Sequence, residues 1–207
     1  MSAHLQLQDI GCEKGQQPLF SGLDYSLAKG ELLHVAGENG SGKTTLLRIL
    51  AGLNRDYSGN VLWNGENIRT HWPVYAQDIL YIGHQPAIKA LLTARENLLW
   101  YAHCVGATAT QASAALSDMG LRNKADIPCH QLSAGQQRRV VLARLIFSQQ
   151  ALWILDEPLT ALDAKGFEPI LQCLRNHLQR GGITVMTTHH GMEKIDLPHR
   201  QLLLGDA

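Results

Sequence analysis

The chain has 207 residues, 45% of them hydrophobic and 17% charged, which suits a single globular domain with its own core. Lysine plus arginine equals aspartate plus glutamate at 18 each, so the formal charge of zero gives no electrostatic case for nucleic-acid binding. The four cysteines form no C-x-x-C pair and no eighteen consecutive residues are apolar, which argues against a disulfide framework, a thiolate metal site and a membrane-spanning helix.

The first part of the chain has the pattern of strands and turns around one helix. Short alternating or apolar runs predict strands at residues 5–8, 22–27, 31–36, 61–63 and 79–82. A helix is predicted over residues 44–50, and Gly52 is expected to end it.

The second part combines helical spacing with short apolar runs. Helices are predicted over residues 94–119 and 134–148. The runs at 152–155 and 183–187 are nearly uninterrupted, which is typical of buried parallel strands, and a helix is predicted between them over about 165–179. We therefore expect a helical lobe followed by a parallel core sheet.

A glycine-rich motif lies between the predicted strand at 31–36 and the helix at 44–50. It reads Gly37-Glu38-Asn39-Gly40-Ser41-Gly42-Lys43-Thr44 and matches G-x-x-x-x-G-K-[ST]. Such a loop directs backbone N–H groups at phosphates, while Lys43 adds charge for the β- and γ-phosphates and the Thr44 hydroxyl can ligate Mg²⁺. With the adjacent Thr45, these residues predict a site for a nucleoside triphosphate and Mg²⁺.

A second motif is the predicted strand at 152–155, which ends in Asp156 and Glu157. In a parallel sheet this end lies at the same edge as the phosphate loop. Asp156 is expected to hold Mg²⁺, directly or through water, and Glu157 to polarise the attacking water as general base. Because apolar strands often end in acids, the interpretation depends on the phosphate loop.

A third motif, at the start of the helix predicted over 134–148, reads Leu132-Ser133-Ala134-Gly135-Gln136. Ser133 and the N–H of Gly135 would present donors and a positive dipole end to an anion. By itself the segment is also compatible with an ordinary N-cap followed by solvated arginines. Together with the two other motifs it resembles the LSGGQ signature of ABC ATPases, with alanine at its third position, which adds Ser133, Gly135 and Gln136 to the nucleotide-binding residues.

This resemblance covers nearly the whole chain and implies further roles. Gln85 resembles the Q-loop glutamine, which in the family contacts Mg²⁺ and water. Residues 161–163 resemble the D-loop, and His189 resembles the switch histidine that contacts the γ-phosphate, with His190 as a rival. The catalytic residues that the resemblance implies are Lys43, Gln85, Glu157 and His189. The Mg²⁺ ligands that it implies are Thr44, Gln85 and Asp156.

The same resemblance implies the fold. An ABC-type P-loop NTPase is an α/β protein with a mainly parallel core sheet, an N-terminal antiparallel β subdomain and an inserted helical subdomain. We place the helical subdomain at about 86–150 and treat 1–207 as one nucleotide-binding domain.

One position departs from the family pattern. Glu13 or Lys14 stands where ABC ATPases commonly carry an aromatic residue that stacks on adenine. ATP is the expected nucleotide, and the choice between ATP and GTP stays open on the sequence. Phe20 and Tyr25 lie nearby, and we interpret both as core residues.

The family arrangement also implies partners. It places the phosphate loop of one subunit against the signature of another, and this sequence carries each motif once. A second copy of the chain, or another nucleotide-binding subunit, is therefore expected. Soluble ABC proteins would carry tandem cassettes or a long coiled-coil insertion, so integral membrane subunits are the other expected partners, and membrane contact would run through partners only.

The sequences of several segments resemble those of the ATP-binding subunits of the haem exporters of bacterial cytochrome c maturation. These segments are residues 81–89, 92–94 with 96–98, 127–128 with 131–139, and 151–158. The resemblance implies a peripheral protein on the cytoplasmic face of the inner membrane, bound to the membrane subunits of a haem-handling complex. ATP hydrolysis would drive a step of haem delivery.

Three alternatives remain open on the sequence. The chain could serve another small ABC exporter, it could be a soluble regulator of the ABC type, or it could be a P-loop kinase. The neutral charge disfavours a regulator of ribosomes or DNA. A kinase gives no reason for the motif at 133–136.

Overall fold

The computed structural model describes residues 4–15, 17–160, 162, 164–188, 192 and 195–205. Its strands are β1 (Leu5–Lys14), β2 (Gln17–Leu27), β3 (Leu32–Gly37), β4 (Ser58–Trp63), β5 (Glu66–Asn67), β6 (Ile79–Ile82), β7 (Leu152–Asp156), β8 (Ile183–Thr187) and β9 (Arg200–Leu204). Its α-helices are α1 (Lys43–Leu50), α2 (Trp72–Asp78), α3 (Ala94–Cys104), α4 (Ala109–Asp118), α5 (Ala134–Leu142), α6 (Arg144–Phe147) and α7 (Ala164–Gln179).

The N-terminal strands form an antiparallel sheet in the order β2-β1-β4-β5. Leu5 pairs with Leu27 on one side and with Trp63 on the other, and all three side chains are buried. The pairing of β1 shifts register between Leu7 and Ile10, and Asp9 there has a φ of 51°. A residue added in this way is a β-bulge, which bends the strand.

The second sheet has the order β6-β7-β8-β3-β9, and β3 runs parallel to both β8 and β9 while β7 runs parallel to β8. Every residue of β7 and β8 is buried, as a parallel strand covered on both faces requires. Helix α1 packs on β3, β7 and β8. The predicted parallel core sheet and N-terminal antiparallel sheet are thereby confirmed.

The described chain divides into two compact units. The first, which we call the sheet unit, comprises the described residues within 1–81, 150–157 and 177–207 and contains both sheets, except for Ile82 at the end of β6, together with α1 and α2. The second, the helical unit, comprises the described residues within 82–149 and 158–176. The boundaries of the inserted helical subdomain, and its membership of one domain, stay predictions.

The sheet unit contains a buried histidine. The His177 ring stacks on the Trp153 indole, with ring centroids 3.8 Å apart and planes 6° apart, and Nε2 donates to the Ile183 carbonyl oxygen at 3.0 Å. A Cβ on Gly182 would lie 2.1 Å from this ring. Burial lowers the pKa of His177 to about 4, so the ring is neutral in the native protein at neutral pH.

Several elements differ from the sequence prediction. Residues 94–119 form two helices, because α3 ends before Gly106 and α4 begins at Thr108 with a new cap. The stretch over 134–148 also divides, at Ala143. Helix α2 and strand β9 were not predicted. Among the described residues, no helix combines the length and apolar character needed to cross a membrane.

Candidate nucleotide site

The phosphate loop connects the end of β3 to the start of α1. Gly42 is the N-cap of α1 with a φ of 95°, and a Cβ there would lie 2.8 Å from the Phe20 ring. Both the backbone angle and the close ring therefore require glycine. No side chain caps this helix, so its first N–H groups point into the loop without a side-chain acceptor.

Lys43 reaches back across the loop that it follows. Its ammonium donates to the carbonyl oxygens of Gly37 and Glu38, both at 2.8 Å, and the residue is only 8% exposed. An ammonium has three N–H donors, so one remains for a phosphate. Lys43 thus stabilises the shape of the loop in addition to supplying charge.

A cavity of about 250 Å³ opens on this loop within the sheet unit. Its lining residues are Lys14, Leu19, Asn39, Gly40, Gly42, Lys43, Thr44, Thr45 and Glu157. Gly40 has a φ of 92°, and a Cβ there would meet nothing within 4 Å. Gly37, Glu38 and Ser41 shape the loop without lining this cavity.

The β1–β2 hairpin supplies one wall of the cavity. Lys14, one of the two residues found in place of an adenine-stacking aromatic, lies there with Leu19, which sequence reasoning missed. Phe20 belongs to the buried hydrophobic core of the sheet unit, and Tyr25 is partly buried against that core. Both are therefore core residues, as predicted. This wall of the cavity is therefore aliphatic and cationic.

The carboxylates at the end of β7 lie beside β8. Asp156 is 1% exposed, and its Oδ1 accepts a hydrogen bond of 2.8 Å from the Thr187 hydroxyl. Glu157 is half-buried, has a φ of 50°, and lines the cavity with Lys43 and Thr44. Burial raises the pKa of Tyr81, and the charge of Asp156 raises it further. The structure thus brings Glu157 and the phosphate loop to one cavity.

The signature motif lies at the start of α5 in the helical unit. Ser133 is the N-cap, and its hydroxyl accepts a bond of 3.3 Å from the Gln136 N–H. In return, Gln136 Oε1 accepts from the Ser133 N–H at 3.0 Å, which completes a capping box. A serine hydroxyl that accepts in this way can still donate its proton. Gly135 is the second residue of the helix.

Arg138 connects the signature helix to the segment before Gln85. Arg138 and Arg139 are 5% and 9% exposed, so the interpretation of a solvated arginine face is wrong. The Arg138 guanidinium donates to the carbonyl oxygens of Gly83, at 2.9 Å, and His84, at 3.4 Å. Gln85 itself is exposed and follows directly on these anchored carbonyls.

The buried side-chain amide of Asn97 holds the segment that follows Gln85. Asn97 Oδ1 accepts from the Lys89 N–H at 2.7 Å, and its Nδ2 contacts the carbonyl oxygens of Lys89, Leu92 and Thr93. Within the helical unit, buried side chains therefore hold the segments on both sides of Gln85: Arg138 the one before it and Asn97 the one after it. His189, His190, Ala161 and Asp163 lie outside the described residues, and their roles stay predictions.

The chain is similar to known proteins along most of its length. The family model described as ABC transporter matches residues 20–160. Cytochrome c biogenesis ATP-binding export protein CcmA of Escherichia coli O157:H7 and of strain K12 are each 47% identical over 200 residues, covering 97% of this chain and 96% of theirs. The protein of that name from Shigella dysenteriae serotype 1 is 46% identical with the same coverage.

Solved structures agree on the fold. An ATP-binding subunit of an ABC transporter has a TM-score of 0.83 at 21% identity, covering 97% of this chain and 85% of that one. An ABC transporter ATP-binding protein from Pyrococcus furiosus has a TM-score of 0.81 at 21% identity, covering 97% of both chains. The chain therefore belongs to the ABC transporter family, and within it to the cytochrome c biogenesis ATP-binding export proteins, as an ATPase of the ABC type.

Proposed function

We propose that this ATPase hydrolyses ATP with Mg²⁺ to drive the export or delivery of haem for c-type cytochrome biogenesis. The observation that carries the catalytic part is the position of Glu157, which lines one cavity with Lys43 and Thr44 at the carboxyl end of β7. The cellular role is supported by relatives whose names join ATP binding to export in cytochrome c biogenesis.

Phosphate binding would combine three features of the loop. The uncapped N-terminus of α1 offers N–H groups and the positive end of the helix dipole. Gly40 leaves open space for an oxygen-rich ligand, and Lys43 offers its remaining N–H and its charge. These groups would favour a polyphosphate over a carboxylate, because they offer several donors together with the positive charge of Lys43.

The residues present also fit Mg²⁺. The Thr44 hydroxyl and the Asp156 carboxylate are hard oxygen ligands of the kind that Mg²⁺ prefers, and Gln85 would add a contact by family resemblance. Asp156 is buried and its Oδ1 is held by Thr187, so its carboxylate is oriented before a ligand arrives. When bound, Mg²⁺ would neutralise charge on the phosphates.

Hydrolysis would use Glu157 as general base. Its backbone is fixed by the N–H bond to Thr187, and its position on the cavity wall suits a carboxylate that accepts a proton from water. His189 would contact the γ-phosphate by family resemblance. Lys43 would stabilise the charge that develops on the transferred phosphoryl group.

A second copy of the chain would complete the site. One phosphate loop and one signature occur in the sequence, and the family places these two motifs on opposite subunits. Ser133, Gly135 and Gln136 of the second copy would then face the γ-phosphate. The self-capped start of α5 supports this role, because it keeps the motif ordered before the two copies meet.

The complex would include integral membrane subunits at the cytoplasmic face of the bacterial inner membrane. This chain would be peripheral there, and membrane contact would run through its partners. ATP is proposed as the nucleotide, with Leu19 and Lys14 beside the base instead of an aromatic ring. GTP is the competing substrate to test first.

The cellular role can be tested with a strain whose only copy of the gene encodes Glu157→Gln. We expect holocytochromes c to be lost while b-type haem proteins remain, because the defect removes energy supply without altering haem synthesis. Haem staining of membrane and periplasmic fractions, with a blot for the subunit in the membrane, gives the reading.

A matched control is Glu66→Gln, which makes the same chemical change on a 65% exposed side chain of the sheet unit. That strain should make c-type cytochromes normally. Normal c-type cytochromes in the Glu157→Gln strain, when the purified variant does not hydrolyse ATP, would reject the haem role and leave an ABC ATPase with another cargo.

A further inference from the structure

The hydroxyl of Thr187 joins the two acids at the end of β7. Strands β7 and β8 run parallel in a register that pairs Asp156 with Thr187, and Thr187 is 1% exposed. Its Oγ1 donates to Asp156 Oδ1 at 2.8 Å and accepts from the backbone N–H of Glu157 at 3.0 Å. From the sequence, Thr187 is predicted only as the last residue of a buried strand.

The direction of these two bonds is fixed by chemistry. A backbone N–H can only donate, so the Thr187 oxygen must accept from Glu157. The single hydroxyl proton is then available for Asp156, whose oxygen must accept it. One side chain therefore orients both the carboxylate of the first acid and the backbone of the second.

The hydrogen bond from the Glu157 N–H to Thr187 matters because the backbone of Glu157 has an unusual conformation. Its φ of 50° is in the left-handed region, which a residue with a side chain enters only at a cost in energy. Surrounding contacts must stabilise such a conformation, and the bond from the Glu157 N–H to a buried hydroxyl is one of them. This conformation is the one in which Glu157 lines the phosphate cavity.

We propose that Thr187 is a positioning residue for hydrolysis, which holds Glu157 and Asp156 in their working orientations without touching the nucleotide itself. The inference rests on the proposed roles of Glu157 as base and Asp156 as metal ligand. Since Thr187 acts on orientation and lies outside the cavity lining, its loss should lower turnover and leave nucleotide binding largely intact.

The chain offers a matched control on the same strand. Thr184 is also fully buried on β8 and pairs with Trp153 on β7. Its hydroxyl oxygen is buried and has no hydrogen-bond partner within the part of the chain that the structure describes. A change from threonine to valine is therefore the same at both positions, and only the one at Thr187 removes hydrogen bonds.

The test compares Thr187→Val, Thr187→Ser and Thr184→Val with the unaltered full-length chain, by ATP hydrolysis and by thermal unfolding. For Thr187→Val we expect kcat to fall about 10- to 100-fold, with KM for ATP within about two-fold, as for a lost hydrogen bond to a charged group. Thr187→Ser keeps the hydroxyl and should restore most of the activity. Thr184→Val should hydrolyse ATP normally.

A folded Thr187→Val protein with normal kcat would overturn the inference, as would a Thr187→Ser protein that is as inactive as the valine variant. If the valine variant does not unfold cooperatively, Thr187→Ala replaces it, since alanine removes the hydroxyl and adds no atom. Glu157→Gln is assayed in parallel. If that variant also hydrolyses ATP normally, the proposed role of Glu157 fails; if it is inactive while the Thr187 variants are normal, this inference alone fails.

Discussion

The two helix starts that carry family motifs are built in opposite ways. Helix α1 begins at a left-handed glycine with no side-chain cap, whereas α5 begins at Ser133 with a complete capping box. The other two long helices that begin within residues 82–149, α3 and α4, have the same reciprocal cap, at Thr93 and Thr108. An uncapped start leaves donors for a ligand, while a capped start satisfies them internally. The start of α1 is thus open to an anion, whereas two donors at the start of α5 are satisfied by the side chains of its own motif.

The largest effect is expected at Glu157, the acid that lines the cavity at the uncapped start of α1. Glu157→Gln should keep ATP binding and slow hydrolysis by roughly 10²- to 10⁴-fold, the usual range for a general base. An ATP-bound dimer should then accumulate. Phosphate release and gel filtration with ATP and Mg²⁺ measure both effects.

Lys43→Ala is a less specific probe of the same site, because it also removes two hydrogen bonds that hold the loop.

Turnover close to that of the unaltered chain in Glu157→Gln would place the base elsewhere. A monomer at every ATP concentration would contradict the composite site.

The next effect concerns acid stability, in which the two units should also differ. His177 of the sheet unit is buried with its pKa lowered to about 4, while the described histidines within 82–149, His84, His103 and His130, are exposed. Between about pH 6.5 and about pH 4 the unfolded chain binds the extra proton, so stability falls as the pH falls. Over that window the loss is about 3 kcal/mol from this one residue.

Urea unfolding at several pH values in that window measures the slope. His177→Gln cannot gain the proton, so its free energy of unfolding should vary less with pH, even if it is lower at pH 7. An unchanged slope in His177→Gln would show that other groups cause the acid sensitivity.

The smallest effect separates capping from nucleotide contact in the helical unit. Ser133→Ala and Thr108→Ala each remove the N-cap oxygen of a capping box, and each should lower the free energy of unfolding by about 1 kcal/mol. Only Ser133→Ala should also lower ATP turnover, because only Ser133 would face a nucleotide in the second copy.

Thermal unfolding and ATP hydrolysis on both variants give the comparison. An equal loss of turnover in both would mean that the signature acts through the stability of the unit. An equal loss of stability with normal turnover in both would remove Ser133 from the site.

The local motifs were predictable because their physics is local. Residues 37–44 match the phosphate-loop pattern residue by residue, and the buried strands before Asp156 and after Gly182 read as apolar runs. Leu19 and Thr187 were not predictable as site residues, since only the pairing of strands brings them to the cavity and the acids. Burial of Arg138 escaped prediction because arginine after a capped helix start is usually solvated.

Strand pairing between β7 and β8 also bears on folding fidelity. These strands are distant in sequence, and Asp156 meets Thr187 only in one register. A slip of one residue would bring Met186 or Thr188 opposite Asp156 and would turn alternate side chains of β8 to the other face. In the slip that brings Met186 opposite, the buried carboxylate would lose its hydroxyl donor and face a thioether, which stabilises a charge poorly. Asp156 therefore disfavours this misregistered pairing of β7 with β8 while the chain folds, and a chain that satisfies its carboxylate with Thr187 has the two strands in register.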